Sequence, residues 1–171
     1  MPIAFLKLSI HALDMIEVKY FPMPPSVNKS YTPYRDKYTK KLSIKKNNVL
    51  TDYFKEAEGW RYRNLDKSKQ ISKIIGDWLM KGCFLYFDRY LMVHRNSLYY
   101  KNGNMRAWDV SNRIKALDDG LTRILGFDDR YVRSGREEAV MIDDQYEECA
   151  FVGILPIREK MIYNPEEFEL S

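Results

Sequence analysis

Residues 106–132 read RAWDVSNRIKALDDGLTRILGFDDRYV, and the middle of this stretch has the period of a helix. At 100° per residue, Ile114, Leu117, Leu121, Ile124 and Leu125 share one face, which is the core side. Asn112, Lys115 and Asp119 project on the opposite side. The flanks are acidic: Asp109 precedes the helix, and Asp128 and Asp129 follow a Gly-Phe turn. Tyr131-Val132 is placed to open a strand.

A purely structural account covers much of this pattern. Asp109 or Ser111 would cap the helix, where carboxylates suit the dipole. Asp118 and Asp119 would be solvated, and Asp128-Asp129 would be loop residues. That account leaves unexplained why carboxylates collect at both ends with a lysine between them. Hard divalent cations prefer oxygen donors, and Mg²⁺ takes one or two carboxylates while keeping several waters. Such an ion can polarise a phosphodiester and help generate hydroxide, and Lys115 would balance developing charge. A helix of this length spans about 22 Å. The chain must therefore return through the turn at Gly126 and the next strand for Asp129 to come near Asp109.

Outward from the helix, the chain reads as one domain over 1–171, with a core at about 15–157 and an acidic tail at 158–171. MIEVKYF (15–21) alternates like a strand with one buried face and runs into PMPPS, where prolines end strand pairing. IAFLKLSI (3–10) reads equally as a second strand or as a frayed tail. Residues 48–80 are helical: Val49, Tyr53, Ala57 and Trp60 form one face, and Ile71, Ile74, Ile75, Trp78 and Leu79 form another. NLDKS (64–68) is the break between them. FLYFDRYLMVH (84–94) is the central-strand candidate. KNGN (101–104) predicts a hairpin returning through SLYY, and EEAVMI (137–142) with ECAFVGILPI (148–157) reads as a final pair of strands. The expected class is α+β, a mixed sheet with helices packed on it.

Composition narrows the chemistry. Cys83 and Cys149 are far apart with no C-x-x-C, which fits free thiols in a reducing compartment. His11 and His94 have no Cys or His neighbours of zinc-site spacing, and nothing suggests serine–histidine catalysis. No apolar run approaches the ~20 residues of a membrane span, and the start does not read as a signal peptide. Charge is divided unevenly. Up to Arg136 there are 26 Lys and Arg against 14 Asp and Glu, and from Glu137 onward 2 against 10. The first part therefore suits a polyanion. Its densest basic run, NKSYTPYRDKYTKKLSIKK (28–46), holds Lys29, Arg35, Lys37, Lys40, Lys41, Lys45 and Lys46 with Tyr31, Tyr34 and Tyr38 between them. These residue types neutralise phosphates and stack on exposed bases.

Two separated motifs carry a resemblance. FPMPPSVNKSY (21–31) is similar to the early P-x-P-P-S-x-N-x-x-Y element of the RusA-type Holliday junction resolvases. DVSNRIKALDDGL, followed by GFDDRYV, is similar to that family's D-x-D-N-x-x-K-x-x-x-D-x-L element and its later D-D pair. The resemblance spans most of residues 15–157. It implies a RusA-like, homodimeric α+β fold and metal-dependent endonuclease activity on branched DNA in recombination and repair, with Mg²⁺ or Mn²⁺ as cofactor. The setting it implies is the cytoplasm of a bacterial cell or phage-infected host. A two-fold dimer suits a four-way junction, because each protomer can nick one of two opposed strands.

Carried over by position, the catalytic residues are Asp109, Lys115 and Asp129, with Asp109, Asp129 and Asp128 as metal ligands. Asn28, Lys29, Tyr31, Arg35, Lys37, Lys40, Lys41 and Asn112 are expected on DNA. One position departs: where the family has a second aspartate before the asparagine, this chain has Ser111, a poor, neutral ligand. Either Asp128 or Asp119 supplies the missing charge, or the protein binds branched DNA and cleaves it weakly or not at all. The insertion after the early motif and the longer helical region at 48–80 also depart from the family pattern.

Overall fold

The computed structural model describes residues 15–26, 31–46, 48–158 and 164–167; the segment IAFLKLSI lies outside them. Four strands form a mixed sheet in the order β1-β6-β4-β5: β1 (Ile16–Pro22), β4 (Phe84–His94), β5 (Val132–Ile142) and β6 (Cys149–Ile157). β6 is antiparallel to both β1 and β4, whereas β4 and β5 run parallel. Parallel neighbours need a crossover. It is supplied here by a short helix α3 (Arg95–Leu98) and then α4 (Ser111–Leu125). Two earlier helices, α1 (Asn48–Arg63) and α2 (Leu65–Met80), pack beside α4. A separate ribbon pairs β2 (Tyr31–Arg35) with β3 (Leu42–Lys46). The class is α+β, as expected. Among the described residues, no helix is long and apolar enough to cross a membrane, and both cysteines are free.

The core lies between one sheet face and the helices. Val18 and Phe21 of β1, Leu85, Phe87 and Leu91 of β4, and Ala150, Val152 and Ile154 of β6 meet Tyr53, Ala57 and Trp60 of α1 and Leu117 and Leu121 of α4. Trp60 satisfies its ring N–H by donating to the Lys19 carbonyl at 2.9 Å, as a buried indole requires. The expected face of α1 holds at Tyr53, Ala57 and Trp60, and differs only at its start, where Leu50 is buried and Val49 exposed. β1 departs from strict alternation because its pairing with β6 shifts between Val18 and Phe21. Tyr20, at φ 55°, turns out to solvent and lets Phe21 reach the core in its place.

Other expectations are corrected. The interhelical break is a single residue, Asn64, because α2 already begins at Leu65. KNGN does turn the chain, but SLYY forms no strand. Residues 95–98 are helical, and only the isolated bridge Tyr99–Met105 closes the loop. The last two strands are not partners, because β4 lies between them, and β5 begins at Val132, well before Glu137.

α4 ends as its sequence demands. Gly126 takes the left-handed conformation at φ 73° and donates its N–H to the Thr122 carbonyl at 2.8 Å. Phe127 then packs edge-on against Phe87, and a 3-10 turn at Asp129–Tyr131 leads into β5. The chain does return alongside α4, but it is Glu137 of β5 that comes back to the start of the helix, and Asp129 stays at its far end.

Candidate functional site

Two concavities lie along α4 and meet at Ser111. The first, about 480 Å³, is lined by Lys115, Asp118 and Asp119 of α4, by Asp129 before β5, and by Glu137 of β5. The second, about 960 Å³, lies at the start of α4 and is lined by Asp109, Asn112 and Trp108 together with Tyr100 and Arg106. Ser111 lines both.

The floor of the first cavity is an ion pair. Arg89, 7% exposed in the central strand, gives Nε and Nη2 to the two Asp118 oxygens at 2.8 and 2.7 Å. This fork-to-fork pairing is the strongest geometry available to arginine. Burial raises the Asp118 carboxyl above its ordinary value, and the hydrogen bond and charge of Arg89 offset only part of that rise. Gly135 makes room for this arrangement. A Cβ there would collide with Arg89 Nη1 and stand 2.5 Å from the Phe87 carbonyl oxygen.

Glu137 is the register neighbour of Arg89 across the parallel ladder. Its carboxylate accepts the Ser111 hydroxyl at 2.7 Å. The serine that stands where the resemblance places an acid is therefore bonded to an acid from β5. Lys115 and Asp129 are exposed at the rim.

At Asp109 the second cavity is held by local hydrogen bonds. Asp109 accepts the Asn112 backbone N–H at 3.3 Å and its side-chain amide at 2.7 Å. It therefore caps α4 from one residue ahead of the helical Val110. Asp128 lines neither cavity. It caps the 3-10 turn by accepting the Arg130 N–H at 3.0 Å, and its carboxylate lies 3.4 Å from the Arg130 guanidinium.

The expected residues are thus divided. Lys115 and Asp129 share one cavity with Ser111, while Asp109 and Asn112 open onto its neighbour. The donor chemistry of carboxylates and a hydroxyl suits a hard cation in kind. Among the described residues, however, no group of three or more His, Cys, Asp or Glu is arranged to hold a metal.

On the basic ribbon, Arg35, Lys37, Lys40 and Lys41 are exposed, and Tyr38 is 94% exposed. The turn is braced by Asp36, which accepts the N–H groups of Tyr38 and Thr39 at 2.9 and 2.7 Å. Those bonds, with the Thr39 hydroxyl, hold its carboxyl below the ordinary value. Asn28 and Lys29 lie outside the described residues, and Tyr31 is placed only as the first residue of β2.

Comparison with protein-family models and with curated proteins gives no match, so the RusA-type resemblance is carried by the two motifs alone. Sequence reasoning passed over Arg89, Gly135 and Glu137. An arginine in the middle of the central-strand candidate was a visible signal, because such a charge is rarely buried without a partner. Nothing in the sequence signalled Glu137, whose role depends on the register of β5 on β4.

Proposed function

We propose that this protein is a metal-dependent endodeoxyribonuclease that cleaves branched DNA such as four-way junctions, acting as a RusA-like homodimer. The observation that carries this reading is the pair of adjoining cavities. Lys115 and Asp129 line one, Asp109 lines the other, and Ser111 borders both. The ordered motifs and the exposed basic ribbon support it independently.

In this reading Asp109 and Glu137, the acids at the Ser111 end of α4, would hold Mg²⁺ or Mn²⁺, whereas Asp129, past the far end of the helix, would not reach that ion. When bound, such an ion supplies Lewis-acid polarisation of the phosphodiester and an activated water. Lys115 stabilises charge on the phosphate, and Asn112 fixes the Asp109 carboxylate. The Arg89–Asp118 pair holds α4 at a set distance from β4. Arg35, Lys37, Lys40 and Lys41 contact the DNA backbone.

The test is cleavage of a four-way junction with Mg²⁺. Asp109→Asn should abolish cleavage while preserving or improving binding, because a negative charge near phosphate is removed. Full cleavage by a clean Asp109→Asn preparation contradicts the assignment.

Ser111 favours a second reading, a branched-DNA-binding protein that does not cleave. That protein would bind junctions equally with and without metal and would release no nicked strands.

A further inference from the structure

The second cavity holds more than Asp109. Its outer wall is the loop after β4, where Tyr100 donates its N–H to the Asn104 carbonyl at 2.8 Å and Arg106 donates its own to the Leu98 carbonyl at 2.7 Å. Arg106 is held again through Nε to the Tyr99 carbonyl at 3.2 Å, and its guanidinium lies 4.3 Å from the centre of the Tyr100 ring. The inner wall repeats this arrangement. The Arg113 guanidinium lies 4.5 Å from the Trp108 ring, with Nη1 donating to the Pro24 carbonyl at 2.8 Å. Two arginine-on-aromatic pairs therefore face one concavity of about 960 Å³. Tyr100 is 47% exposed, so about half of its surface is left to a ligand.

These groups select a ligand class. Aromatic faces bearing guanidinium groups stack on any nucleobase, and arginine forks meet phosphate. Asn96 and Asn112, also on the wall, offer amide donors and acceptors of the kind that read base edges. Asp109 at the rim disfavours a ligand that is anionic throughout. It suits a neutral ring placed inward with its phosphate turned to Arg106. A base within a duplex cannot present its face, because that face is covered by its neighbours in the stack.

We infer that this cavity receives one unpaired nucleobase, stacked on Tyr100 with its phosphate on Arg106, beside Asp109. The inference rests on the proposed DNA-cleaving role and specifies the substrate as DNA with an unstacked nucleotide next to the cleaved strand.

The experiment compares the binding of two probes at low salt without metal. One is a single strand of about 12 nucleotides carrying 2-aminopurine, and the other is the corresponding duplex. The full chain should quench the 2-aminopurine emission on binding the single strand. In Tyr100→Leu that quench should disappear, and the ratio of single-strand to duplex affinity should fall about tenfold, the size of one lost base stack. Arg106→Gln should lower the same ratio, which keeps the test decisive if Tyr100→Leu folds poorly. A ratio unchanged in both variants overturns the inference while leaving the DNA-binding role standing. If the unaltered chain binds neither probe, both fail together.

Discussion

The two cavities that meet at Ser111 are built by opposite means. The first is built from long-range contacts: Arg89 comes from the central strand, Asp118 from α4 and Glu137 from β5. The second is built mainly from near neighbours in sequence, with Asp109 bonded to Asn112 and Arg106 to Tyr99, and is tied to a distant segment through Arg113 and the Pro24 carbonyl. A buried ion pair imposes one geometry at a steep cost if it is broken, whereas a capping network of exposed groups can rearrange cheaply. The first cavity thus resembles a fixed half of a site and the second an adaptable half. Division of that kind suits the proposed role, in which a branched DNA strand distorts as it enters.

If the first cavity is the chemical half, Lys115→Met should lower junction cleavage by about a hundred- to a thousandfold, or ~3–4 kcal/mol in the barrier. Junction binding, read by anisotropy, should change little. Equal losses in cleavage and binding would place Lys115 on the DNA-contact surface instead.

The rigidity of that half is tested by stability. Asp118→Asn leaves the Arg89 charge without its counterion, in a pair whose side chains are only 9% and 20% exposed. It should cost about 3 kcal/mol in urea unfolding. Replacing both partners by apolar residues of similar volume should cost much less. Gly135→Ala, which drives a methyl into Arg89 and the Phe87 carbonyl, should cost about 2 kcal/mol. Asp109→Ala, which touches only the local cap, should cost about 1 kcal/mol.

The ribbon acts through charge. Replacing Lys37, Lys40 and Lys41 together with Gln should flatten the log–log salt dependence of DNA binding by about 2–3. An unchanged slope would remove the ribbon from the interface. The smallest effect is at Asp36. Its carboxyl is held below the ordinary value of 3.8 by the hydrogen bonds of the turn. Its contribution to turn stability is therefore complete above that value and lost as pH falls through the depressed one. Amide exchange at Tyr38 and Thr39 should rise in Asp36→Asn at neutral pH, and should approach the unaltered chain's only under strongly acid conditions.

The local half of the site was legible in the sequence and the distant half was not. The period of Ile114, Leu117 and Leu121 fixed the buried face of α4, and Gly126 marked its end. Both depend on a few adjacent residues. FLYFDRYLMVH declared an interior strand by composition. Hidden in it was the meaning of Arg89, which needed the register of β5 and the gap at Gly135. Pairing order was equally out of reach. Residues 137–142 and 148–157 are neighbours in sequence, but β4 separates them because the crossover through α4 makes β4 and β5 parallel. The break at Tyr20 was hidden too, since strict alternation gives no sign of a bulge.

The central claim is that Asp109 and Glu137, the acids at the Ser111 end of α4, serve one cation. Mn²⁺ binding to the full chain, followed by electron paramagnetic resonance in the presence of a non-cleavable junction, tests it directly. The account predicts that Asp109→Asn and Glu137→Gln each remove the bound ion, and that the double variant is no worse than either single one. Retention of the ion in both single variants would contradict it.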